Sequence, residues 1–159
     1  MTSEDLESAL GDAEHAFQRK PELPEVGLEH VSDPAILQLR KACRLLDAAG
    51  FLLERNGHFT VIIEASFVAI ERSIQFYVEE KGYDVAGQHH TEVYEFGVRA
   101  GLFSKNVADR LEELWIENRS ESYYRTGVAG EYRARTLYRL AVTLHEEIVQ
   151  LTRTRDCLC

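Results

Sequence analysis

Between Arg119 and Arg139 the chain reverses its own charge. Arg119, Arg125, Arg133, Arg135 and Arg139 stand there against only Glu121 and Glu131, in a protein of formal charge -9. The same stretch holds Tyr123, Tyr124, Tyr132 and Tyr138, four of the seven tyrosines. A guanidinium is a planar fork that pairs with phosphate, and a phenol ring is a flat surface for a base. These residue types at this density point to RNA or a nucleotide as ligand. The expected binding set is Arg119, Tyr123, Tyr124, Arg125, Arg135 and Arg139. Arg135 and Arg139 share a helix face at a spacing of four. Three arginines near a helix start oppose the helix dipole, which favours an anion nearby. Asn118 and Glu71 are candidates for orienting Arg119, as carboxylates and amides do for functional arginines.

Other chemistries find less support. His89 and His90, with Glu92 and Glu95, suggest a metal. Adjacent residues on a helix, however, point about 100° apart, and no pair of histidines has the spacing that would share one ion. The expected metal set is none. Neither a Gly-rich phosphate loop nor a dinucleotide fingerprint is visible, so no cofactor is expected. No Ser-His-Asp order is present either. Cys43, Cys157 and Cys159 are too few for a disulfide framework.

The elements that position these residues are helical throughout. Residues 4 to 19 form an acidic, weakly amphipathic stretch with Leu6, Leu10 and Phe17, followed by a loop with Pro21 and Pro24. Asp33-Pro34 reads as a helix start, and Ile36, Leu39, Cys43, Leu46, Gly50 and Leu53 make one face. Asn56-Gly57 ends that helix. From about Thr60 to Lys81 the chain is apolar on nearly all sides, which predicts a central, buried helix. Glu71 and Arg72 interrupt it and need partners. Thr91 and Ser104 are expected to cap two shorter helices, the second turning Val107, Leu111, Leu114 and Trp115 inward. The last helix begins near Gly130, with Ala134, Leu137, Ala141, Leu144, Ile148 and Leu151 as its face. No strand alternation or repeat occurs. The expectation is an all-α, up-down bundle of four to five main helices plus an acidic N-terminal helix.

Composition narrows the setting. The 18 basic residues comprise 14 Arg and 4 Lys in a strongly acidic chain, a balance suited to a halophilic, high-salt cytoplasm. At molar salt the Debye length falls to roughly 3 Å, so a phosphate site must rely on short bidentate contacts. No apolar run approaches the length of a membrane span, and the acidic N-terminus lacks a secretory pattern. The expected location is cytoplasmic, with no membrane partner.

Two segments carry a family resemblance. The central helix reads A-S-F-V-A-I-E-R-S-I-Q-F-Y-V from Ala65 to Val78. The later segment reads L-E-E-L-W-I-E-N-R-S-E-S-Y-Y from Leu111 to Tyr124. Together they resemble the HEPN superfamily of small helical bundles, over about Leu37 to Leu151. The expected division is an acidic N-terminal helix and linker over 1–30, read from the residues, and over 31–159 the HEPN-like bundle that the resemblance implies. In ribonuclease members, an Arg followed after four to six residues by His forms a metal-independent RNA-cleaving site across a homodimer interface. Arg119 matches the Arg, but Tyr124 stands where the His is expected, and a phenol is a poor proton acceptor near neutrality. The resemblance therefore implies a non-catalytic nucleotide- or RNA-binding module with a degenerate Arg-x4-Tyr site. It is expected to be homodimeric and to partner a nucleotidyltransferase or toxin. One alternative is a toxin-like, metal-independent endoribonuclease, with Arg119 and Tyr124 as catalytic candidates. Another is a structural antitoxin-type partner protein.

Overall fold

Helix signals in the sequence convert into helices at nearly the expected places. The computed structural model describes residues 3–19, 25–55, 57–85, 90–123 and 129–154. Among these the α-helices are α1 (Ser3–Gln18), α2 (Pro34–Glu54), α3 (Phe59–Glu80), α4 (Glu92–Arg99), α5 (Lys105–Glu117) and α6 (Glu131–Thr152), and no strand occurs. A π-helical turn, Asn118–Tyr123, continues α5.

Helix α2 starts where Asp33 caps it. The Asp33 carboxylate accepts from the amides of Ala35 and Ile36, and Pro34 occupies the first turn, where its missing N–H costs nothing. Leu39, Leu46 and Leu53 recur at spacings of seven, as do Ala35, Ala42 and Ala49, and all six are buried. The large row fills space and the small row lets the neighbouring backbone approach, a seam suited to near-antiparallel packing. Cys43 lies in the same buried surface and is disulfide-bonded. Cys157 and Cys159 lie outside the described residues.

Helix α3 is the centre of the bundle, packing against α2, α4 and α6. Ile62, Ile63, Phe67, Ile70, Ile74, Phe76 and Val78 are buried on several sides of it, as its unbroken apolar sequence requires. Each such side chain contributes roughly 1.5–3 kcal/mol when fully buried. Gly82 ends the helix with φ +85, a left-handed conformation that glycine adopts without steric cost.

Several local expectations are corrected. Ser104 does cap α5, accepting from Val107, but Thr91 makes no side-chain cap to α4. The inward face of α5 is Ala108 and Leu111 with Trp115 half-buried, whereas Val107 and Leu114 are exposed. On α6 Leu151 is exposed and Leu144 only half-buried, and buried His145 takes a core position, bonded through Nδ1 to Ser73 Oγ at 2.9 Å. The described residues of α1 from Glu4 onward are exposed, Phe17 to 92%.

Candidate functional site

A polar cluster lies where α3, the approach to α4, and the end of α5 converge. Glu64 and Glu71 are seven apart on α3 and therefore share a face. The two residues that open the π-helical turn meet Glu64 from the other side. Asn118 Nδ2 donates to Glu64 Oε1 at 2.8 Å, and Arg119 Nη2 pairs with Glu64 Oε2 at 3.1 Å. One carboxylate thus holds two consecutive side chains. Short π-helical insertions occur frequently at functional sites, and this one spans the motif residues.

Trp115, one turn earlier on α5, backs the cluster. The Arg119 guanidinium lies 5.1 Å from its ring centroid, and the His90 ring stacks on it at 6.1 Å with 24° between planes. His90 Nδ1 lies 2.6 Å from Glu71 Oε2. Burial pushes the Glu71 carboxyl above the usual carboxylate range, opposed by the His90 hydrogen bond and by the charges of Arg72 and Arg119. Beside it the Tyr94 hydroxyl is buried with no hydrogen-bond partner among the described residues. Burial and the nearby charges of Glu71 and Glu112 push its pKa well up. Arg72 is occupied elsewhere, bonding Gln38 at 2.9 Å and Gln75 at 3.1 Å.

Next to Asn118 a cavity of about 280 Å³ opens between α3, α5 and α6. Its floor is Ile63, Phe67, Leu137 and Asn118, and its rim includes Leu114, Glu117, Arg133 and Thr136. Among the described residues no group of three His, Cys, Asp or Glu side chains is placed to hold a metal ion.

The expected site residues therefore divide. Arg119, Asn118 and Glu71 come together, although Arg119 takes its direct carboxylate from Glu64 while Glu71 acts on it only through charge. Arg135 and Arg139 are exposed on a different face of α6, where Arg135 Nε bonds Glu131 at 2.7 Å. Tyr132 joins them at helical spacings of three and seven and is 83% exposed. Arg133 faces the cavity instead. Tyr123 closes the π-helical turn with only its backbone described, and Tyr124 and Arg125 lie outside the described residues. Sequence reasoning missed Glu64, His90, Trp115 and Tyr132 as site members. The i, i+7 pair of acids on an otherwise apolar helix was the available signal for Glu64. Nothing along the chain signals that His90 reaches Trp115.

Fold and site together define a small all-α bundle with a charged, aromatic-backed cluster beside an apolar cavity. Residues 1–159 match the family described as Domain of unknown function (DUF8154), and the chain belongs to that family. No curated protein and no solved structure matches it.

Proposed function

We propose that this protein is a non-catalytic nucleotide- or RNA-binding module of HEPN-like type. The observation that carries the reading is the exposed stripe of Tyr132, Arg135 and Arg139 on α6. It combines a ring for stacking with two guanidinia for phosphate, all on one face. Arg119, held by Glu64 against Trp115, adds a preorganised cation at the cluster. Exposed Leu114 and Ile116, beside the Arg119 turn, suit a homodimer contact or a partner such as a nucleotidyltransferase or toxin. Calorimetry with short RNAs and nucleotides tests the reading. Arg139→Ala and Arg119→Ala should each weaken binding by roughly 1.5–3 kcal/mol, the worth of a charge-assisted hydrogen bond. Absence of binding across the panel, in low and high salt, rejects it.

A second reading rests on His90. A carboxylate-bonded, solvent-accessible imidazole beside Arg119 and Trp115 provides a proton-transferring group. This favours the alternative of a metal-independent endoribonuclease, with His90 supplying what Tyr124 cannot. RNA cleavage in chelator, lost in both His90→Ala and Arg119→Ala, would support it. No cleavage above background would rule it out.

A further inference from the structure

Helix α1 has an apolar row that no other described residue covers. Leu6, Leu10, Ala13 and Phe17 repeat at spacings of four, three and four, so they share one face, and that face is exposed. An isolated helix of 16 residues is near the limit of stability in water, and Gly11 in its middle weakens it further. Such a helix draws its stability from packing its apolar face on something. The cavity between α3, α5 and α6 is a matching surface. Its floor includes Ile63, Phe67 and Leu137, and its volume of about 280 Å³ exceeds the roughly 150 Å³ that takes a benzene ring. On α5 the exposed Val107 and Leu114 lead up to it, about 10.5 Å apart along the helix. Leu10 and Phe17 have the same seven-residue spacing on α1. Charge agrees. Helix α1 holds Glu4, Asp5, Glu7, Asp12 and Glu14 and no Lys or Arg. The groove is flanked by exposed Arg110 on α5 and by Arg133 on α6, with Glu117 as the opposing acid at the rim. The groove between α2 and α6 offers Leu46 and Val142 but sets Asp47 and Glu146 beside them, which repel an acidic helix.

The linker favours the α1 of another molecule. Glu25 pairs with Arg44 of α2 at 3.4 Å, and the Gly27 carbonyl accepts from Arg40 of α2 at 3.3 Å, so the chain is held on α2 from Glu25 onward. The seven residue steps from Gln18 to Glu25 span at most about 25 Å. Helix α2 borders α6 where Leu46 meets Tyr138, Val142 and Val149. Those three residues lie on the opposite side of α6 from Arg133, Thr136 and Leu140, which line the cavity. An α1 tethered to α2 must round α3 or α6, each roughly 10 Å across, before its row meets its own groove. A second copy presents the same groove without that detour, and such an exchange is self-complementary about a two-fold axis. We propose that this groove docks α1 of a second copy of the chain, with Phe17 seated in the cavity and Leu10 beside Leu114. Two molecules thereby exchange N-terminal helices. The exchange gives the proposed homodimer its contact surface and is independent of any nucleotide ligand.

Sedimentation velocity of the full chain across a concentration series tests this, with a dimer dissociation constant expected on the order of 10 μM, the weak end for protein interfaces. Phe17→Asp changes an exposed position, so the fold is not at risk, and it should weaken the dimer roughly 10-fold or more, the worth of burying one large apolar side chain. Leu114→Asp, also exposed, should do the same from the groove side. Circular dichroism of both variants should match the parent chain. Mixing them restores one contact, because the first keeps an intact groove and the second an intact helix. Amide NMR signals of Thr136 and Leu137 in isotope-labelled Phe17→Asp should then shift on adding unlabelled Leu114→Asp. A mixture without such shifts overturns the exchange. A dimer that survives Phe17→Asp uses another surface and overturns it as well. A chain that is monomeric at every concentration also overturns it, and a change in the Thr136 and Leu137 signals on Phe17→Asp would then place α1 on its own groove.

Discussion

Glu71 and His90, 19 residues apart in the chain, meet at 2.6 Å between Oε2 and Nδ1. The carboxylate belongs to the centre of the buried helix, while the His90 side chain is 61% exposed. A buried acid is thus satisfied by a group that solvent can reach. The pair ties the approach to α4 onto α3, and Trp115 holds the free face of the ring.

Removing His90 should therefore cost more than its own exposure suggests. His90→Ala leaves the Glu71 carboxylate buried without this partner, a loss of about 1–3 kcal/mol. Adding Glu71→Leu should recover part of it, because the stranded charge is gone. Urea denaturation of the two single variants and the double variant gives the coupling, expected above ~0.5 kcal/mol. Additive effects would show that the contact contributes nothing to stability.

His145 predicts a pH dependence. Burial against Ser73 holds its pKa below the ordinary imidazole value, so the folded state keeps the ring neutral. The unfolded chain takes up a proton near its ordinary value of about 6.5. The unfolded state then binds more protons than the folded one at acid pH. Stability is intact above about pH 6.5 and declines as pH falls below it, by up to ~1.4 kcal/mol per pH unit from this group. His145→Asn retains a hydrogen-bonding group for Ser73 and should flatten that slope. Denaturation midpoints between pH 8 and pH 5 decide it, and parallel curves for the two proteins would contradict the assignment.

Two helical glycines should respond oppositely to alanine. A Cβ on Gly97 would sit 2.7 Å from Phe103 Cζ and 3.3 Å from Ile74 Cγ2, so both α3 and the loop after α4 would have to shift. Overpacking of this kind costs typically ~1–3 kcal/mol, which outweighs or cancels the ~1 kcal/mol that alanine adds to a helix. A Cβ on Gly50 would meet the Tyr138 hydroxyl at 2.7 Å, the end of a half-buried side chain that can swing away. Gly50→Ala should be neutral or stabilising, and Gly97→Ala should lower the melting temperature unless Phe103→Leu accompanies it.

The N-terminal helix should be dispensable for folding. Leu6 and Leu10 are 58% and 57% exposed, so α1 buries little apolar surface. Deleting residues 2–19 should leave the denaturation midpoint within about 0.5 kcal/mol of the full chain, the range of surface changes. The same deletion removes a cluster of acids from a protein whose proposed ligand is anionic. Binding of short RNA should tighten at low salt, where screening is weakest, and unchanged affinity would show that α1 does not compete.

The helices were legible because their signals are local. Asp33 with Pro34, Ser104 and the face of α2 from Ile36 to Leu53 each rest on spacings of a turn or so, and the apolar surround of α3 can only be buried. The failures follow the same logic. Leu151 continues a helical face past the point where any neighbour among the described residues covers it, and Thr91 stands at a cap position without the extended backbone that capping requires. Periodicity reports which residues share a face, not whether another element reaches that face.

The amino-acid sequence by itself determined that this chain is an all-α bundle around one apolar helix, with arginine and tyrosine concentrated near its last helix. Those properties follow from hydrophobic period, capping and composition, which act over a few residues. Only the tertiary structure decided which charges meet. It gave Arg119 to Glu64, gave Glu71 to His90, and brought Arg133 to the cavity beside Asn118. Ion pairs and hydrogen bonds act over a few ångströms, and three-dimensional packing brings residues 19 to 55 positions apart within that distance.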